Sequence, residues 1–237
     1  MKRVLVILLI CVFISCSNND TNIDAATPNL SKKLMEEKQI VSLSNGGAGE
    51  TVRKFHYSSN TLIMITATHN NLNSNSIDTT RFEYLNDKIS KIKTVSWQQG
   101  IPIPSESILT YQNDLIKSIS IPSLLNTINY EYNTDNLISG ETDSFGNTST
   151  YTYDSNSNRI SVTNNNNTTT INFDSKNNPY KNVYQDYFKK VLYIGSNNSI
   201  SNSDGTVWTY EYDTDDFPSK VTFNTNGNDW EIEYRYE

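Results

Sequence analysis

Eight times along this chain two apolar, mostly aromatic, residues flank a single polar one. The pairs are Phe55-x-Tyr57, Phe82-x-Tyr84, Leu109-x-Tyr111, Tyr130-x-Tyr132, Tyr151-x-Tyr153, Ile171-x-Phe173, Tyr210-x-Tyr212 and Tyr234-x-Tyr236. The residues between them are His56, Glu83, Thr110, Glu131, Thr152, Asn172, Glu211 and Arg235. A period of two, with apolar and polar positions cleanly separated, is the pattern of a strand that is wet on one face and packed on the other. Successive pairs start 27, 27, 21, 21, 20, 39 and 24 residues apart, so the chain is an array of similar units.

Each internal pair runs into a turn rich in Asn, Asp and Ser, such as Asn86-Asp87, Asn113-Asp114, Asp154 to Asn158 and Asp213 to Asp216. Asn and Asp suit turns because their side chains accept hydrogen bonds from nearby backbone amides and they tolerate positive φ. A second alternation follows, as in Ile119-Ser-Ile121, Ile160-Ser-Val162 and Val221-Thr-Phe223. Each unit therefore reads as a hairpin. The 39-residue interval is expected to hide a degenerate copy, with Phe188 to Ile194 and Ile200 as its strands. Lys33 to Leu43 reads as a first strand, although its composition also suits an amphipathic helix.

Fourteen to sixteen strands at about 4.8 Å spacing form a sheet roughly 70 Å wide with one apolar face. Open twisted sheets seldom exceed about 10 strands before they curl or split. The expected fold is all-β: an antiparallel meander of repeated hairpins, curled into an open barrel or sandwich-like sheet with the aromatic pairs inside. A transmembrane barrel is disfavoured, because it needs strands of about 9–11 residues and an apolar outer band, whereas most alternating runs here are five to seven residues long.

Tyr151-Thr-Tyr153-Asp154 with Asn158-Arg159-Ile160 resembles the YD repeat of the RHS and teneurin class of surface proteins. Tyr130-Glu-Tyr132-Asn133 and Tyr210-Glu-Tyr212-Asp213 match its first half, and Phe145-Gly146-Asn147 fits the turn between repeats. With "DSKNNPYKNVY" from Asp174 to Tyr184, the chain also resembles the Bacteroidetes lipoproteins that carry degenerate YD repeats. The resemblance spans roughly Lys33 to Glu237. It implies a strip of β-hairpins and says little about function. Seven or eight repeats are too few to enclose cargo as the long RHS shells do.

The N-terminus reads as a targeting segment. Met1-Lys2-Arg3 precedes an apolar run from Val4 to Ile14, and Phe13-Ile14-Ser15-Cys16 resembles the lipobox of bacterial lipoproteins, with Phe where Leu is usual. That resemblance implies a lipoprotein signal peptide over residues 1–15, lipid attachment at Cys16, a flexible tether over 16–32 and one β domain over 33–237. Removal of Lys2 and Arg3 leaves 17 basic against 26 acidic residues. A net charge of about -9 argues against nucleic-acid partners and against anionic lipid bound through protein charge. The expected location is the outer membrane, with the lipid on Cys16 as the membrane partner.

Signs of catalysis are sparse. Neither His56 nor His69 has metal-ligand spacing, and His69 reads as a loop residue in "THNNLNSN". Asp213-x-Asp215-Asp216 has oxygen donors for calcium but reads more simply as a turn capped by its own Asp. Glu36-Glu37 reads as a solvated pair, and Asp78-Thr79-Thr80 resembles a Bacteroidetes O-glycosylation signal at Thr79. No cofactor or metal is expected. Trp97, Trp208 and Trp230 are the candidate aromatic binding residues. Three function classes follow: a non-catalytic envelope protein that binds glycan or protein or serves as a structural module, a polysaccharide hydrolase using paired carboxylates, and an accessory or immunity factor of an RHS-type toxin system.

Overall fold

The computed structural model describes residues 32–44, 46–71, 74–98 and 100–237. Cys16, the expected signal peptide over residues 1–15 and nearly all of the expected tether over 16–32 lie outside the described residues. The eight apolar-x-apolar pairs fall on eight strands: β2 (Ala48–Ser58), β4 (Ser74–Leu85), β6 (Ile101–Gln112), β8 (Asn126–Tyr132), β10 (Thr148–Tyr153), β12 (Asn167–Phe173), β14 (Trp208–Tyr212) and β16 (Asn228–Tyr236). Their partners are β1 (Leu34–Ser42), β3 (Thr61–Asn71), β5 (Lys88–Gln98), β7 (Leu115–Ile121), β9 (Ile138–Thr142), β11 (Arg159–Asn164), β13 (Ser199–Asn202) and β15 (Pro218–Thr225). A single short helix, α1 (Asp186–Val191), and one 3₁₀ turn (Pro122–Leu124) complete the described residues.

All sixteen strands form one antiparallel meander that rolls into a nearly closed barrel. The first strand pairs with the last over Glu36↔Arg235 to Ser42↔Asp229, so β1 supplies the second arm of the C-terminal hairpin. Closure is incomplete only between β13 and β14, which share a single bridge, Ser201↔Val207. The expectation of a first strand at Lys33 to Leu43 holds: β1 alternates, with Leu34 and Glu37 fully buried.

A second regularity lies inside the first. In each hairpin the register slips beside the second aromatic: Glu83 faces Lys91 but Tyr84 faces Ile89, and Thr110 faces Ser118 but Tyr111 faces Ile116. One extra residue per hairpin, such as Ser90 or Lys117, is thereby bulged, which bends the strand and increases its twist. Adjacent hairpins separate at the same level, their ladders ending at pairs such as Met64↔Arg81 and Lys91↔Ile108. The tyrosine hydroxyl spans that separation. Tyr57, Tyr84, Tyr111, Tyr132, Tyr153 and Tyr236 donate to the carbonyl oxygens of Leu34, Leu62, Ile89, Ile116, Ile138 and Pro218 at 2.6 to 2.8 Å. Each bond ties one hairpin to the preceding one.

The turns at this end of the barrel follow one design in several repeats. In Asn133–Leu137, Asp154–Asn158 and Asp213–Phe217 the first side chain accepts the backbone amides two and four residues on. Asp174 does the same with Lys176 and then Asn198, and its own amide donates to the Asn198 carbonyl just as that of Asp154 donates to Asn158. Residues 178–197 are thus inserted within a five-residue turn. This corrects the expected degenerate hairpin: Phe188 lies in α1 and Ile194 follows it, so neither is in a strand, and only Ile200 is. Without the insertion, the interval after Ile171 matches its neighbours.

The inserted segment plugs the barrel at the level of the aromatic pairs. Tyr180 packs on Phe55 and Tyr234, Tyr184 and Phe188 on Phe82, Tyr187 on Tyr111, and Tyr193 on Tyr151, with ring centroids 4.8 to 6.5 Å apart. Such aromatic pairs contribute about 0.5–1.5 kcal/mol each beyond the area they bury. The core is therefore the inner wall of the pairs closed over a plug.

The outer wall is polar. Its side chains form charged cross-strand contacts, Lys38–Glu50, Lys93–Glu83, Lys91–Glu106 and Lys220–Glu231, at 2.6 to 3.2 Å. Exposed pairs of this kind add little stability. β1 to β6 and β16 are 9–12 residues long, so the expectation of strands too short to span a membrane is not met. The charged pairs nevertheless differ from the apolar outer band of a membrane-spanning barrel, where a central charge costs about 2–4 kcal/mol. Among the described residues no helix is long and apolar enough to cross a membrane.

Candidate functional site

Register determines which candidate residues meet. Trp208 and Trp230 both lie on the inner wall beside Phe223, at ring-centroid distances of 6.1 and 5.9 Å, and the Phe223 and Trp230 rings are parallel within 2°. Trp97 does not join them. It points outward from the end of β5 and is 42% exposed. Ile77, Ile101, Leu124, Leu125 and Phe145, towards the barrel end away from the plug, are also exposed. The three tryptophans therefore form one inner pair and one separate outer residue.

Two readings of charged residues are corrected. Glu36 and Glu37 are neighbours on a strand and so face opposite ways. Glu36 lies outside near Lys54 and Arg235, whereas Glu37 is 2% exposed, paired with Arg53 and hydrogen-bonded by the Tyr180 hydroxyl. His69 is not in a loop. It sits on β3 facing inward, its Nδ1 3.0 Å from Thr51 Oγ1 and its Nε2 3.3 Å from Asp78 Oδ2, close enough for an ion pair but off-axis for a hydrogen bond. His56 bonds Thr66 on the outer face. The Asp213 turn is capped as its simpler reading expected, and Lys32 Nζ reaches Asp213 at 2.7 Å and Asp215 at 2.5 Å, placing an ammonium where a cation would sit.

Sequence reasoning missed the polar groups held by the plug. Arg159 is buried, its guanidinium 4.1 Å from the Tyr193 ring centroid and 5.1 Å from that of Tyr151, and burial pushes its pKa down. Tyr193 donates to Glu141 across the same contact. Asn158, Asn178, Asn197 and Asn198 are buried at the plug's neck, where Asn178 Nδ2 donates to the Asn197 carbonyl and Asn197 Nδ2 to the Lys176 carbonyl. The available signal was the density of asparagines between Asp154 and Asn198, which reads equally well as turns. Among the described residues no group of three or more His, Cys, Asp or Glu side chains is arranged to hold a metal ion.

These features define an antiparallel barrel with charged pairs on its outer wall, stoppered by its own chain. No protein-family model and no curated protein matches this chain. Among solved structures, it resembles the crystal structure of a porin-like protein from Bacteroides uniformis ATCC 8492, at 14% identity and a TM-score of 0.58, over 86% of this chain and 98% of that one. At that identity the likeness concerns the fold.

Proposed function

We propose that this chain is a non-catalytic cell-envelope lipoprotein, held to the outer membrane by lipid on Cys16, whose barrel acts as a binding or structural module and not as a pore. The observation that carries the reading is the plug: aromatic side chains of residues 178–197 occupy the interior against Phe55, Phe82, Tyr111, Tyr151 and Tyr234. A conducting barrel needs a water-filled lumen and a lipid-compatible wall, whereas this interior is packed across the level of the plug and this wall carries charged pairs. The porin-like neighbour supports an envelope setting, and the hairpin array supports the likeness to degenerate YD-repeat lipoproteins. Binding is assigned to glycan or protein, because the exposed surface offers aromatic and amide side chains and the acidic charge disfavours nucleic acid.

The test combines two assays on the purified chain. Planar bilayers should show no unitary conductance, and a polysaccharide panel should show no turnover. Turnover that disappears on replacing one Asp or Glu would establish a hydrolase instead.

A further inference from the structure

Resting on the binding-module reading, we infer that the unstitched separation between β11 and β12 is a recognition site for a single neutral sugar ring. At six of the eight hairpin junctions a tyrosine hydroxyl reaches a backbone carbonyl of the preceding hairpin, and at a seventh Tyr212 donates to the Asp174 carboxylate; at this one the equivalent residue is Phe173, which has no hydroxyl to offer the Arg159 carbonyl. The β11–β12 ladder ends at Ser161↔Thr170, and beyond it a cleft of about 330 Å³ opens. That volume lies at the lower end of the roughly 300–1,000 Å³ typical of small-molecule sites.

The lining has two characters. Ile160, Ile171 and Phe173 are apolar, while Asp154, Asn156, Asn158, Asp174, Ser175 and Asn197 are polar. Asn158 and Asn197 are 1% and 2% exposed, and the side-chain oxygen Oδ1 of each is buried without a donor. Their orientations are determined, because Asn158 Nδ2 donates to the Asp154 carboxylate at 2.6 Å and Asn197 Nδ2 to the Lys176 carbonyl at 2.7 Å, and both partners only accept. A buried acceptor left unpaired is costly, so the cleft floor calls for a hydrogen-bond donor.

The carboxylates narrow the choice of ligand. Asp174 already accepts from the Lys176 and Asn198 amides, the Asn198 side chain and the Tyr212 hydroxyl, and Asp154 accepts from the Asn156 and Asn158 amides and the Asn158 side chain. Little oxygen capacity remains for a calcium ion, which takes about 6–8 oxygen ligands. Their negative charge also disfavours an anionic ligand. A neutral ring fits both characters, its hydroxyls donating to the two amide oxygens and its C–H face lying on Phe173.

The test is side-chain amide NMR on the full chain in detergent, titrated with glucose, galactose, mannose and N-acetylglucosamine, with glucuronate and calcium chloride as contrasts. At least one neutral sugar should shift the Asn158 and Asn197 amide signals in the wild type. Phe173→Tyr supplies the missing hydroxyl; its thermal unfolding confirms that it folds, and the shifts should be lost. Shifts that persist in Phe173→Tyr, that arise with calcium alone, or that never arise with any neutral sugar would overturn the site. Sugar shifts confined to other residues would overturn it while leaving the binding-module reading intact; hydrolysis of a sugar polymer would defeat that reading itself.

Discussion

The hydroxyl of Tyr84 donates to the carbonyl oxygen of Leu62 at 2.6 Å, joining β4 to the hairpin before it. Leu62 faces Tyr57 just before the register slips past Ile63, so its carbonyl lies where the ladder between hairpins has already ended. The bulge and the tyrosine are two parts of one joint, repeated around the wall.

A joint of this kind has a measurable strength. Tyr132→Phe removes the 2.7 Å bond to Ile116 and should lower unfolding stability in urea by about 1 kcal/mol, the typical worth of one such bond. An unchanged midpoint would show that water replaces the hydroxyl without cost.

The two faces of a strand should respond very differently to truncation. Tyr153→Ala removes a packed ring and its bond to Ile138, and should cost about 3 kcal/mol or more. Thr152→Ala, on the outer face with only an exposed bond to Ser161, should cost under about 0.5 kcal/mol. Comparable costs in denaturant titrations would refute the assignment of faces.

Much of this architecture can be read from residue order. Phe55-His-Tyr57 and its seven relatives mark even-numbered strands, because alternation alone separates wall from water. The plug could not be read in the same way. Tyr180, Tyr184, Tyr187 and Phe188 have the composition of the repeats around them, and the signal that they are an insertion is the hydrogen bonding of Asp174 to Asn198, a contact between residues distant in sequence. Glu37 was misread because its neighbour Glu36 suggested a shared environment that strand geometry forbids. Of the candidate tryptophans, Trp208 and Trp230 meet at Phe223 only through the register of β14, β15 and β16, which residue spacing does not encode. The cleft beside Phe173 was equally hidden, since it arises from the absence of one hydroxyl.

Alkali should unfold the barrel. Twelve tyrosines, from Tyr57 to Tyr236, have their pKa raised above 10.0, with burial the leading cause in each; Tyr132 and Tyr151 are pushed up to about 12. The folded chain keeps these phenols neutral, whereas an unfolded chain ionises them near pH 10. Their stabilisation is complete below about pH 10 and is lost as pH rises towards the folded-state values. Stability measured by denaturant should fall steeply above about pH 10, with phenolate absorbance rising together with unfolding. Phenolate absorbance that rises well before unfolding would contradict the burial.

Excising residues 178–197 restores a five-residue turn from Asp174 to Asn198 but strips the inner wall of its packing partners. The shortened chain should expose Phe55, Phe82 and Tyr151, bind a hydrophobic dye and lose most of its cooperative unfolding transition. A sharp transition at the wild-type midpoint would show that the plug is not part of the core.

The central claim is that the barrel faces water on its outside and is filled by its own chain on its inside. The most direct test is sedimentation velocity, in buffer without detergent, of the chain stripped of residues 1–16. The account predicts a discrete soluble species with the far-ultraviolet spectrum of a β-sheet. Aggregation that only detergent reverses would contradict it, because it would mean that the wall is made for lipid.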